Sequence, residues 1–145
     1  MAQAAETNAP EKKPPSNLAV RLLTAVIAAP LILLLLYLGP GWAWLAFISF
    51  ATVIGALELF GMTHPNDRVA QAIGILLTVG VVQVIWFFGA DPRALLALIM
   101  LLPIAAVLLA LYRLGEINTA ALRMAATVFG PIYLGGGMAA VALLK

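Results

Sequence analysis

The sequence predicts an all-α, polytopic integral membrane protein with about five spanning helices, and three observations carry that reading. Of the 145 residues 64% are hydrophobic and only 10% are charged, against roughly 45–50% and about 25% in soluble domains. A soluble globule of this length still exposes a large share of its chain, so the excess apolar surface must face lipid. The apolar residues also fall in runs close to the ~20 residues that cross a bilayer as a helix.

The elements follow in chain order. Residues 1–17 hold Pro10, Pro14, Pro15, Glu6, Glu11, Lys12 and Lys13 with almost no large apolar side chain, a composition expected of a disordered tail. The first span, 22–38, follows Arg21 and exceeds the h-region of a secretory signal, so it is read as retained. Gly39, Pro40 and Gly41 break it before the second span, 42–60, which ends in a polar loop from Gly61 to Arg68. The third span, 69–88, stops at the segment Gly89, Ala90, Asp91, Pro92, Arg93, and the fourth covers 94–112. A polar connection, Arg113 to Arg123, leads to the fifth span, 124–144. The membrane domain is thus 18–145.

These runs are apolar on every side, whereas barrel strands alternate over about ten positions. Pro30 and Pro103 fall inside the first and fourth spans, where neighbouring helices can repair the lost donor. The sequence shows no internal repeat.

Alternate flanks place Lys12, Lys13, Arg21, Arg68, Arg113 and Arg123 on one side, and Arg93 and Lys145 on the other. The positive-inside rule puts the first group, the amino terminus included, in the cytoplasm. Trp42, Trp44 and Trp86 near the span ends fit an interfacial aromatic belt.

The basic residues form no stripe, so the net charge of +2 does not indicate a nucleic-acid partner. The absence of cysteine excludes disulfides, thiolate metal sites and a cysteine nucleophile. A single histidine, His64, cannot build a zinc site alone. No two acidic residues outside the tail lie close in sequence, so the carboxylates that hold Mg²⁺ in phosphoryl transfer are not legible here. On these grounds no catalytic, cofactor-binding or metal-ligating residue is assigned.

Single residues remain to be weighed. Glu58, in the last turn of the second span, is ionisable within a span and so a functional candidate, although reaching headgroup water is the commoner use. Gln71 and Gln83 either line a polar cavity or bond between helices, the second being commoner. His64 with Asp67 suits proton handling, while a loop histidine among polar neighbours is more often solvated. Gly135, Gly136 and Gly137 lack both phosphate-loop patterns. The pairs Gly135/Ala139 and Gly136/Ala140 instead offer small residues four apart for close helix packing, including with a second copy of the chain.

Three stretches carry a resemblance: NLAVRLLTAVIAAPLILLLLYLGPGWAWLAF from Asn17, LELFGM from Leu57, and AATVFGPIYLGGGMAAVALLK from Ala125. Together they resemble the amino-terminal half of bacterial phosphatidate cytidylyltransferases, the CDP-diacylglycerol synthases. The resemblance implies a multi-pass enzyme of the cell inner membrane. It would convert CTP and phosphatidate to CDP-diacylglycerol and pyrophosphate, with Mg²⁺, at the cytoplasmic face, in phospholipid biosynthesis.

The family's Ser-Asp segment and its Ser-Pro-Lys-Lys-Thr-x-Glu-Gly segment do not occur in this sequence. No catalytic position is therefore carried over. The expectation is a truncated chain, ending at Leu143, Leu144 and Lys145 beside a span and inactive alone. Two other classes stay open. A small transporter or channel subunit is motivated by Gln71, Gln83, Glu58, Pro30 and Pro103, and a non-enzymatic membrane scaffold by the small-residue face from Gly135 to Ala140.

Overall fold

The computed structural model describes residues 17–112 and 117–145, so the amino-terminal tail and the segment 113–116 lie outside the described residues. The described residues form helices joined by short turns: α1 (Asn17–Leu38), α2 (Gly41–Thr63), α3 (Arg68–Phe88), α4 (Pro92–Tyr112), α5 (Ile117–Gly130), a π-helical turn (Pro131–Gly135) and α6 (Gly136–Ala142). Four helical stretches are long and apolar enough to cross a membrane, at 41–63, 68–88, 92–112 and 120–142, with a shorter apolar one at Thr24–Leu38. The protein is an all-α, membrane-embedded bundle.

Exposure supports lipid as the solvent. In α4 only 11% of the spanning window is buried, and Leu96, Ile99, Met100, Leu101, Ile104, Leu108 and Leu111 all face outward. Such a continuous apolar surface has no stable place in water. The helices run unbroken through Pro30 and Pro103.

The structure corrects two expected connections. The polar loop expected at Gly61 to Arg68 is tighter, because α2 continues to Thr63 and α3 begins at Arg68. Three local features explain this: the Thr63 hydroxyl donates to the Leu59 carbonyl at 3.0 Å, His64 N–H donates to Phe60 O at 2.9 Å, and Asp67 caps α3. Its Oδ1 accepts from the backbone N–H groups of Val69 and Ala70, each at 3.1 Å, satisfying donors with no partner inside the helix.

The connection expected at Arg113 to Arg123 is helical from Ile117 onward, which carries Arg123 into the second turn of α5. The span expected at 124–144 is therefore part of a longer, composite helix, α5 and α6 joined through the π turn.

Two glycines set the helix crossings. A side chain at Gly74 would come within 2.5 Å of the Phe60 ring, and one at Gly135 within 2.7 Å of the Thr78 carbonyl and 2.9 Å of Val81. Helix α3 thus packs on α2 through Gly74 and on the π turn through Gly135, the close approach that small residues permit. Thr52, Thr78 and Thr127 are buried along these contacts, and each hydroxyl donates to the carbonyl four residues earlier. Every side-chain nitrogen or oxygen that is fully shut off from solvent among the described residues has a partner.

The described side chains of α1, at 22 and 24–38, are almost all exposed, and the helix meets the bundle at its carboxy-terminal end. There Ile32, Leu35 and Leu36 pack on the cluster of Trp44, Leu45, Ile48, Val82 and Ala142. Lys145 Nζ donates to the carbonyls of Leu35, at 2.9 Å, and of Gly39.

Candidate functional site

At the opposite end of the bundle from Lys145, the α2–α3 turn, the last turns of α4 and the start of α5 enclose a cavity. His64, Asp67, Ala106, Ala110, Arg123 and Thr127 are among its lining residues. Its volume is about 20 Å³, room for one water.

The turn builds the site from below. His64 is 3% exposed and its ring lies 6.0 Å from that of Phe60. This overturns the solvated reading of the loop histidine: the tight turn directs the imidazole inward instead of into water. Gln71 Nε2 donates to the His64 carbonyl at 2.6 Å and fixes the turn, so Gln71 does not line a separate polar path. Asp67, the expected proton-handling partner, serves as the α3 cap, and the hydrogen bond at His64 Nδ1 goes to Thr63.

The direction of that bond can be assigned. The Thr63 hydroxyl has a single proton, donated to Leu59 O. Its contact with Nδ1, at 3.0 Å, is therefore one in which Nδ1–H donates and the hydroxyl oxygen accepts. In the neutral ring Nε2 then carries the free lone pair. Burial pushes the imidazole pKa below its ordinary 6.5, the positive charge of Arg123 pushes it further down, and Asp67 opposes both. At neutral pH the imidazole is uncharged and Nε2 is an acceptor or base.

Arg123 is half-buried, and Thr127 donates to its carbonyl at 2.9 Å. Its guanidinium has no hydrogen-bond or ion-pair partner among the described residues. In the sequence Arg123 falls at the end of an expected loop, where it counts only toward orientation, and Thr63 and Thr127 carry no site signal. The available signal is Ile117, Ala120, Ala121 and Met124, apolar positions three and four apart that extend the helix N-terminally.

The other weighed residues are accounted for differently. Glu58 is exposed on α2, more than a turn before the helix end. Gln83 donates to Ser49 Oγ across α2 and α3 at 2.9 Å, the interhelical use. Gly135 and Ala139 are buried within the chain, whereas a Cβ added at Gly136 would meet no heavy atom within 4 Å and Ala140 is exposed. No three His, Asp or Glu side chains among the described residues come together as metal ligands.

Fold and cavity together define a polytopic helical membrane protein that holds, at one end of its bundle, an uncharged imidazole and a guanidinium unpaired among the described residues. Residues 19–145 match the model of the cytidylyltransferase family, and the chain belongs to that family. Its chemistry is nucleotidyl transfer. No curated protein and no solved structure matches the chain.

Proposed function

We propose that this chain is the membrane portion of a phosphatidate cytidylyltransferase, located in the inner membrane with its amino terminus and the His64–Arg123 end in the cytoplasm. One observation carries the reading: a nucleotidyltransferase family matches a body made of lipid-exposed helices. An acceptor for such an enzyme is a lipid within the same bilayer.

In the proposed reaction a phosphate oxygen of phosphatidate attacks the α-phosphorus of CTP. The new P–O–P linkage forms CDP-diacylglycerol, and pyrophosphate leaves with the broken bond. The bundle supplies the lipid-accessible wall of the site. Mg²⁺ would serve the complete enzyme, and the carboxylates to hold it would come from the family's carboxy-terminal half, whose Ser-Asp and Ser-Pro-Lys-Lys-Thr-x-Glu-Gly segments do not occur in this sequence.

The test is CDP-diacylglycerol formation from labelled CTP in phosphatidate vesicles. The 145-residue chain alone is expected to form none, and co-reconstitution with a polypeptide carrying the two segments is expected to restore it. Product from the chain alone would overturn the division of labour. No product from the reconstituted pair, with both polypeptides folded, would overturn the reading as a whole.

A further inference from the structure

Two groups at the basic end of the bundle are incompletely used. The Arg123 guanidinium offers five N–H donors and meets no acceptor among the described residues. Beside it, His64, which lines the one-water cavity, uses Nδ1–H on Thr63 and leaves Nε2 as a lone-pair acceptor. Asp67 faces the same cavity, but its Oδ1 already accepts two backbone N–H groups. A ligand that satisfies both groups must present an anionic oxygen to the guanidinium and a hydroxyl proton to the imidazole.

A singly protonated terminal phosphate presents both. A phosphodiester has the anionic oxygen but no P–OH, and a carboxylate at neutral pH has no proton to give. We propose that the His64–Arg123 cavity is a recognition site for a terminal phosphate group, one oxygen entering the cavity and the rest of the phosphate at its mouth. The pair thereby separates phosphomonoesters from the phosphodiester lipids that make up the bulk of a bilayer. Arg123 holds the charge, bidentate geometry being open to it, and the neutral His64 imidazole accepts a hydrogen bond from the P–OH group. The lipid identity of that phosphate rests on the function proposed above, whereas the site itself does not.

The chain contains one histidine, so ¹⁵N-histidine labelling gives a single imidazole reporter. The full chain in micelles is titrated with dioctanoyl phosphatidate, with dioctanoyl phosphatidylglycerol as the anionic diester, and with inorganic phosphate. Saturable movement of the His64 Nε2 resonance by phosphatidate, and none by phosphatidylglycerol, is the expected result. Arg123→Gln should weaken it about tenfold or more, as expected for losing a charge-assisted hydrogen bond, with partial recovery in Arg123→Lys.

Equal movement by inorganic phosphate would retain the terminal-phosphate site and assign it to a soluble phosphate. No movement by either phosphate, equal movement by phosphatidylglycerol, or an unchanged response in Arg123→Gln with its helical circular dichroism intact would each overturn the proposal. These results stand apart from the vesicle assay, which reads product and not occupancy.

Discussion

Trp44 Nε1 donates to the carbonyl of Ala142 at 3.1 Å, joining residues 98 apart in the chain. The bond is buried, and it ties the start of α2 to the end of α6 beside the Leu35 and Gly39 carbonyls that Lys145 caps. Replacing Trp44 with Phe keeps an aromatic ring in the cluster but leaves the Ala142 oxygen with only the long bond from the Lys145 backbone N–H, at 3.4 Å. A loss of about 0.5–1.5 kcal/mol is expected for the lost hydrogen bond, measurable as a lower Tm of the detergent-solubilised chain.

The two neighbouring glycines of the glycine run should respond in opposite ways. Gly135→Ala drives a methyl group against the Thr78 carbonyl and Val81, and overpacking of that kind costs about 1–3 kcal/mol. Gly136→Ala meets open space and gains helix propensity of up to about 1 kcal/mol. Thermal melts of the two variants check the sign, and equal effects would contradict the packing of the π turn on α3.

Gly74 and Phe60 should be coupled. Gly74→Ala alone forces the Phe60 ring to move, since the added carbon would sit 2.5 Å from it. Phe60→Leu alone removes packing from a fully buried site. Because the smaller side chain relieves the clash, the double variant should be more stable than the sum of the two losses, by roughly 0.5–3 kcal/mol. Additive losses in a double-mutant cycle would mean that the two side chains do not meet.

Stability should depend on pH through His64. Its pKa is depressed in the folded protein by burial and by Arg123, so the unfolded chain, with its imidazole near 6.5, takes up the proton first. The stabilisation from the neutral imidazole is complete above about pH 6.5 and is lost as pH falls through that value towards the folded pKa. Denaturation of the chain between about pH 7.5 and 5.5 should show this slope, and His64→Gln should flatten it. Arg123→Gln should shift the imidazole titration upward. Asp67→Asn should shift it downward, because the negative charge that opposes the depression is gone.

Orientation can be read with single cysteines, since the sequence has none of its own. Asn66→Cys, in the exposed part of the α2–α3 turn, should resist a membrane-impermeant maleimide applied to intact cells. Ala90→Cys, exposed at the other end of the bundle, should react. The reverse pattern would invert the proposed topology and place the His64–Arg123 cavity outside.

The solvent and the scale of the elements are legible in the chain before it folds. Runs such as 69–88 and 94–112 have nowhere to go but lipid, and lipid forces a backbone to satisfy its own hydrogen bonds as helix. The small-residue spacing at Gly135/Ala139 likewise marks a packing face without naming its partner. Three-dimensional packing selects the helix that this face meets, with Thr78 and Val81 on α3, and leaves Gly136 and Ala140 outside. It also sets the surroundings of the polar residues. Nothing near His64 in sequence says that its ring turns inward, because that depends on a turn closed by Asp67 and Gln71 and on Arg123, 59 positions away, arriving from α5. Apolar periodicity is a local signal, written within one helix at a time. A site made from four helix ends is a non-local arrangement, fixed only when the crossings at Gly74 and Gly135 set the distance between those ends.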